Sequence, residues 1–263
     1  MRQTLLAWLI LVVASASYLP AQNQTISDPQ ALAIATKSLT AMTRGTAIAD
    51  VALSGNVASL IGSDARTGTV TLLGRGLSES RTDFVFSAAK RTEVRNTSNG
   101  LPQGAWTSAD GASHSYPLHN CWTEASWFFP ALTSLSGTEP NIVLTYIGQE
   151  SQSGTAVQHL RSYRYFPAKN AKSAALTRQL STTDFYLDAG SLLPVAITFN
   201  THADDDASLN IPVEIRFSNY QPTSGVMIPL HIQKYLNGGP IVDIAITSAA
   251  VNTGLADSTF AIQ

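Results

Sequence analysis

His119-Asn120-Cys121 sets an imidazole two residues from the only thiol of the chain. A Cys–His nucleophile needs its base within hydrogen-bond reach and a third group to orient that base. Residues two apart seldom meet those conditions. The triplet therefore reads as a cysteine packed at the start of the neighbouring apolar segment. Asp204-Asp205-Asp206, after His202, has the composition of a cation site. Hard cations require several oxygens converging on one point, and this run lies between two alternating segments. A solvated hairpin tip that discourages edge pairing is the simpler reading. His114, His159 and His231 each stand alone in strand-like sequence and read as exposed strand positions, without the H-E-x-x-H or H-x-x-E-H spacing of a metal site. There is no G-x-S-x-G elbow, no S-x-x-K and no P-loop, and Gly74-Arg75-Gly76 reads as a turn. No catalytic residue, metal site or cofactor is indicated, which argues against an enzyme.

The sharpest candidate is aromatic: Trp122, Trp127, Phe128 and Phe129. Trp122, Ala125, Phe128 or Phe129, Leu132 and Leu135 recur at helical spacing. This predicts an amphipathic helix over 122–135, kinked at Pro130 and stopped at Gly137. Two readings stay open. The helix is ordinary core against a sheet, or it is a lid over a concave sheet that leaves space for an apolar ligand.

The elements around it are mostly strands. An antiparallel meander is predicted from 184 to 260. Leu193, Val195, Ile197 and Phe199 alternate with polar residues, as do Ile211, Val213, Ile215 and Phe217. Such period-two patterning gives each strand one core face and one wet face. Asp188-Ala189-Gly190, Thr223-Ser224-Gly225 and Asn237-Gly238-Gly239 supply the turns. Further strands are predicted over 49–59, 67–74, 81–88, 91–95, 142–147 and 157–165. Asn99-Gly100 and Asp110-Gly111 mark turns between or beside them. A helix opens at Asp28-Pro29, where Asp28 caps and Pro29 takes the first position. It carries Leu32, Ala35, Leu39 and Met42 on one face and ends at Gly45. Residues 171–180 read as a short helix or a broad connection. The order is α+β without a βαβ rhythm.

Arg2, an apolar run over 5–13, and Ala14-Ser15-Ala16 form a secretory signal, with cleavage after Ala16 or after Ala21. Residues 1–21 are expected to leave, and 22–263 to form a single domain, periplasmic or secreted. With one cysteine no internal disulfide is possible. Only 13% of residues are charged and the net charge is −2. No basic stripe is present, which sets nucleic acid aside as a partner. Asn23-Gln24-Thr25 and Asn96-Thr97-Ser98 match the glycosylation sequon.

Three stretches carry a family likeness: Phe185 through Val195, with its Asp188-Ala189-Gly190 turn and Leu193-Pro194 strand start; Phe217-Ser218-Asn219-Tyr220 followed by Gly225-Val226-Met227-Ile228-Pro229; and Val251-Asn252 through Asp257 and Phe260. In these the chain resembles the LolA-like superfamily of periplasmic outer-membrane lipoprotein carriers and lipid-binding relatives. The resemblance implies a curved antiparallel sheet, an unclosed half-barrel of about eleven strands, with helices covering the concave face. It also implies a non-catalytic carrier or sensor that binds a hydrophobic small molecule, lipid or acyl chain, or a lipoprotein or membrane-associated partner. The candidate lid and wall are then Trp122, Trp127, Phe128, Leu132, Val195, Ile197, Phe199, Ile215 and Phe217. Arg161 and Arg164 are possible head-group partners, though solvated strand positions explain them as well. The competing readings are an interaction module with a filled core, or a secreted hydrolase.

Overall fold

A computed structural model describes residues 27–60, 66–137, 139, 141–166 and 171–262. The expected secretory signal and the sequon at Asn23 lie outside the described residues. Helix α1 (Pro29–Thr43) forms as predicted: the Gln30 amide donates to the Asp28 carboxylate at 2.7 Å, and Arg44 ends the helix in the left-handed conformation. Its buried stripe is Ala31, Ala35, Ser38 and Met42, whereas Leu32 is exposed.

Six strands come next: β1 (Asp50–Ser59), β2 (Arg66–Arg75), β3 (Glu79–Phe86), β4 (Ala89–Ser98), β5 (Leu101–Thr107) and β6 (Ser113–Ser115). After a long connection come β7 (Ile142–Gln152) and β8 (Thr155–Arg164). Helix α2 (Ala171–Ser181) resolves the ambiguous 171–180 stretch as a helix, with Arg178 over the Tyr163 ring. The chain closes with β9 (Thr183–Asp188), β10 (Pro194–Ala203), β11 (Asp206–Thr223), β12 (Val226–Leu236) and β13 (Gly239–Val251). The meander ends at Val251, short of the predicted Phe260. Beyond it Asp257–Phe260 is a 3-10 turn.

All thirteen strands join one antiparallel sheet, ordered β6-β5-β4-β3-β2-β1-β13-β12-β11-β10-β9-β8-β7. That is two strands more than the resemblance implied. The sheet is two meanders joined where β1 pairs with β13. Its edges, β6 and β7, do not pair, so it stays open. Two-residue turns set the registers: Asn237 (φ 49°) and Gly238 (φ 79°) reverse the chain between Leu236 and Gly239, which pair. The β7 edge is partly sealed. The Asp28 amide donates to Leu144 O at 2.8 Å, and the Leu144 amide donates to Ser27 Oγ at 3.0 Å.

Because β6 and β7 lie at opposite edges, residues 116–141 must cross one face of the sheet. The predicted helix over 122–135 is not there. The segment is an irregular chain with 3-10 turns at Leu118–Asn120, Pro130–Leu132 and Ser134–Ser136. Pro130 removes an amide donor and holds Phe129 extended, at φ −138° and ψ 97°. Thr123, Ser126, Thr133 and Ser134 add residues that compete with helical hydrogen bonding. The crossing shows that the sheet is curled. Ser126 Oγ donates to Glu79 O of β3 at 3.3 Å, while Glu124 bonds Ser134, whose Oγ lies 2.6 Å from Ser162 Oγ of β8. In a flat sheet β3 and β8, eight positions apart in the order, would stand about 38 Å from each other. Glu124 and Ser126 are separated by at most about 7 Å of backbone. The two halves therefore face one another across the segment.

Gly74 allows the close approach. A Cβ there would lie 2.8 Å from Ser126 Oγ and 3.4 Å from both Phe128 and Leu132. Gly74→Val is expected to cost about 1–3 kcal/mol in chemical denaturation through overpacking. A variant as stable as wild type would show that the contact yields freely.

The tail after β13 is anchored by Asp50, which is 3% exposed. Its carboxylate accepts from Thr253 N (2.7 Å), Thr253 Oγ1 (2.8 Å) and Gly254 N (2.8 Å). Burial raises its pKa, but these donors outweigh burial and hold it below the ordinary 3.8. The resulting stabilisation is complete above the unfolded value and is lost as pH falls through the lower folded value. Asp50→Asn is expected to lose about 2–3 kcal/mol at neutral pH. The gap from wild type should narrow below pH 3.8 in denaturant titrations. A gap that persists unchanged in acid would reject this account.

Candidate functional site

The inner face carries the main core. Val51, Leu53, Leu72, Phe185, Ile197, Ile215, Phe217, Ile232 and Ile244 pack there against α1 and the crossing segment. Phe128, Phe129 and Leu135 of that segment are fully buried and fill the middle. At one end the filling stops, leaving a cleft of about 310 Å³. Phe84 and Phe86 of β3 form one wall, and Phe199 and Val213 of β10 and β11 form the other. Trp127 and Tyr116 of the crossing segment border it.

Charged groups reach into the same cleft. β4 turns Arg91, Glu93 and Arg95 inward, in register with Phe84, Thr82 and Ser80 of β3. Opposite them, Lys234 stands in the inner column of β12 that also holds Val226, Ile228 and Ile232. Arg91 Nε donates to Glu93 Oε1 at 2.7 Å, and an Arg91 NH2 group donates to the Tyr116 hydroxyl at 3.3 Å. Arg95 donates to Thr123 Oγ1 at 3.2 Å and lies over the Tyr116 ring. Lys234 Nζ sits 4.6 Å from the centre of the Trp127 ring, within cation–π range.

Burial lowers the Lys234 pKa, and Glu93 only partly offsets this. Burial raises the Glu93 carboxyl, yet Lys234 and Arg91 outweigh it and hold it below its ordinary range. Burial drives the Tyr116 phenol up to about 12. Desolvation thus works against the charged form of each of these groups, and the neighbouring charges offset it most fully at Glu93.

The sequence-derived candidates divide. Trp127 and Phe199 line the cleft. Phe128, Leu132, Ile197, Ile215 and Phe217 are buried in the filled core beside it. Val195 is half-buried at a register shift between β9 and β10 and lies outside that core cluster. Trp122 packs edge-on against Phe166 at 5.7 Å, in a separate polar depression that includes Arg164. Arg161 is spent on Asp184, with bonds of 2.7 and 3.0 Å. Phe84, Phe86, Arg91, Glu93, Arg95 and Lys234 were missed. Lys234 had a signal, since it occupies an apolar position of an alternating strand. β4 had none, because the strand pattern over 91–95 does not say which of its faces is inner. Val94 is in fact buried on the outer face, beside Ala261 and Ile262 of the tail.

The reactive candidates disperse. His119 Nε2 lies 2.9 Å from Ala203 O, and Cys121 Sγ donates to Pro117 O at 3.5 Å. Glu124 is held by the Ser134 amide and hydroxyl. Burial raises the Cys121 thiol and the Glu124 carboxyl, opposing a thiolate or a free carboxylate base. Asp204, Asp205 and Asp206 form an exposed hairpin tip. Among the described residues no group of three or more His, Cys, Asp or Glu is placed to hold a metal. His159 is buried rather than exposed: its Nδ1 lies 2.6 Å from Glu150 and its Nε2 2.9 Å from Asp184. Asn96 of the second sequon donates to Phe260 O at 2.7 Å. Among the described residues no helix is long and apolar enough to cross a membrane.

Lys234→Met is expected to melt at or above the wild-type temperature, because it removes a charge that burial disfavours and leaves Glu93 its Arg91 partner. A fall of several degrees in calorimetry would make Lys234 a structural residue instead.

No family model matches the sequence, and neither does any curated protein. Solved structures do. A domain assigned to outer membrane lipoprotein sorting from Vibrio parahaemolyticus aligns with TM-score 0.53 and 12% identity, over 87% of this chain and 95% of the other. A DUF1329 family protein from Desulfovibrio piger aligns with TM-score 0.53 and 12% identity, over 90% and 98%. A LolA superfamily protein from Nitrosomonas europaea gives TM-score 0.50 and 11% identity, over 88% and 97%. These likenesses are of fold, and with the open curled sheet and its crossing segment they show that this chain has the LolA-like superfamily fold.

Proposed function

We propose that this chain is an exported, non-catalytic binding protein for a lipid or acyl chain. The observation that carries this reading is the unfilled cleft at the end of an otherwise packed inner face, walled by Phe84, Phe86, Phe199 and Val213. Its volume of about 310 Å³ is at the lower end of the ~300–1,000 Å³ common for small-ligand sites. An acyl chain recovers about 0.8 kcal/mol per buried methylene, so about a dozen supply roughly 10 kcal/mol before ordering costs. The sequence at 1–21 supports export, after which 22–263 acts as one domain in the periplasm or outside the cell. The lipoprotein-sorting assignment of the Vibrio neighbour agrees with a lipid-handling role, and extends the possible partners to a lipoprotein or a membrane-associated protein. The tight filling of the middle by Phe128, Phe129 and Leu135 favours a second reading, an interaction module without ligand.

Lipid extraction of protein purified from an exporting host, followed by mass spectrometry, is expected to show copurifying acyl lipid. A fluorescent fatty-acid probe should bind saturably, and Trp127→Ala should weaken it about tenfold through lost apolar contact. Absence of both copurifying lipid and saturable probe binding would favour the module.

A further inference from the structure

We propose that the ligand is a single-chain amphiphile with an anionic head, and that Arg95 and Lys234 receive that head within the cleft. The proposal rests on the binding function above and adds the chemistry of the ligand.

Charge balance is the first argument. Arg91, Arg95 and Lys234 bring three cationic groups to the cleft and Glu93 brings one carboxylate, an excess of two positive charges. The chain as a whole is net negative, at −2. A cationic excess in the apolar cleft of a charge-poor, net-acidic chain is a local field aimed at an anion, and low-dielectric walls concentrate it.

Unspent donors are the second argument. Glu93 is engaged by Arg91 at 2.7 Å. Among the described residues Arg95 and Lys234 form no ion pair. A guanidinium carries five N–H donors, and Arg95 directs one to Thr123 Oγ1. Lys234 Nζ faces the Trp127 ring, which draws the ammonium without using its acceptor-seeking protons. Both groups are therefore available to a carboxylate or phosphate oxygen.

Placement is the third. These polar groups share the cleft with Phe84, Phe86, Phe199 and Val213, so one molecule meets both an apolar wall and a cationic end. A neutral hydrocarbon would leave the two cations without an anionic partner in the cleft, and a cationic amphiphile would be repelled. The volume of about 310 Å³ holds one chain rather than several.

The test uses the full mature protein and probes of one chain length below their micellar concentrations: dodecanoate, dodecyl phosphate, dodecanol and dodecyltrimethylammonium. Calorimetric titration is expected to rank both anions at least tenfold tighter than dodecanol, with the ammonium weakest. The ratio of the two anions separates a carboxylate head from a phosphate head. Lys234→Met and Arg95→Met should each reduce the anion-over-alcohol ratio at least fivefold. Equal binding of dodecanoate, dodecyl phosphate and dodecanol would overturn the headgroup assignment and leave the acyl-binding function standing. Anion preference that survives both substitutions would overturn the role of these two residues. Failure of all four probes to bind would reject the binding function itself. Circular dichroism melts of each variant separate loss of head recognition from loss of fold.

Discussion

The structure depends on one topological constraint. Two meanders meet at the β1–β13 seam, so the strands joined by residues 116–141 are the two outermost in the sheet. That connection has no route except across a face. An apolar route is the only stable one, because a crossing over the inner face must bury its side chains against Leu53, Leu72, Ile197 and Ile215. Trp127, Phe128, Phe129, Leu132 and Leu135 answer that need. The sheet curls around the crossing, and the open edges remain apart. What looks like a lid is thus part of the connectivity of the fold, and it is fixed by Ser126 on β3 and Ser134 on β8.

A connection held at both ends fills the middle of the inner face and leaves the end of the trough open. There the sheet departs from the pattern of its core. Thr82 and Ser80 on β3, Glu93 and its flanking arginines on β4, and Lys234 on β12 all face inward. Inward charge opposes stability unless it is paired, since desolvation penalises each ion. Only Arg91 and Glu93 are directly paired. An anionic head of the kind proposed above would answer the two cations that have no partner carboxylate.

Most strands were legible because alternation sets them directly, and the turns at Asn99-Gly100 and Asn237-Gly238 needed left-handed residues that the sequence supplies. The resemblance motifs proved to be turn and packing devices. Asn252 Oδ1 accepts from the Ala49 amide at 2.7 Å, Asp257 pairs with Arg75 at 2.8 Å, and Phe260 lies under Arg75. Two things were illegible. Helical spacing in 122–135 arose in a segment that Pro130 and four Ser or Thr residues prevent from closing helical hydrogen bonds. Alternation also tells two faces apart without saying which is inner.

β4 is where that second ambiguity arises. In Arg91-Thr92-Glu93-Val94-Arg95 the only aliphatic residue points outward, which an ordinary sheet would leave wet. The tail beyond β13 removes the penalty. Anchored by Asp50 and Arg75, it carries Phe260 and Ala261 back over β3 and β4 and buries Val94 from outside. With its apolar residue satisfied on the outer face, β4 is free to present charge to the inner one. The tail and the charged cleft are therefore coupled through a single strand. The C-terminal anchor and the cationic end of the trough thus occupy opposite faces of one strand.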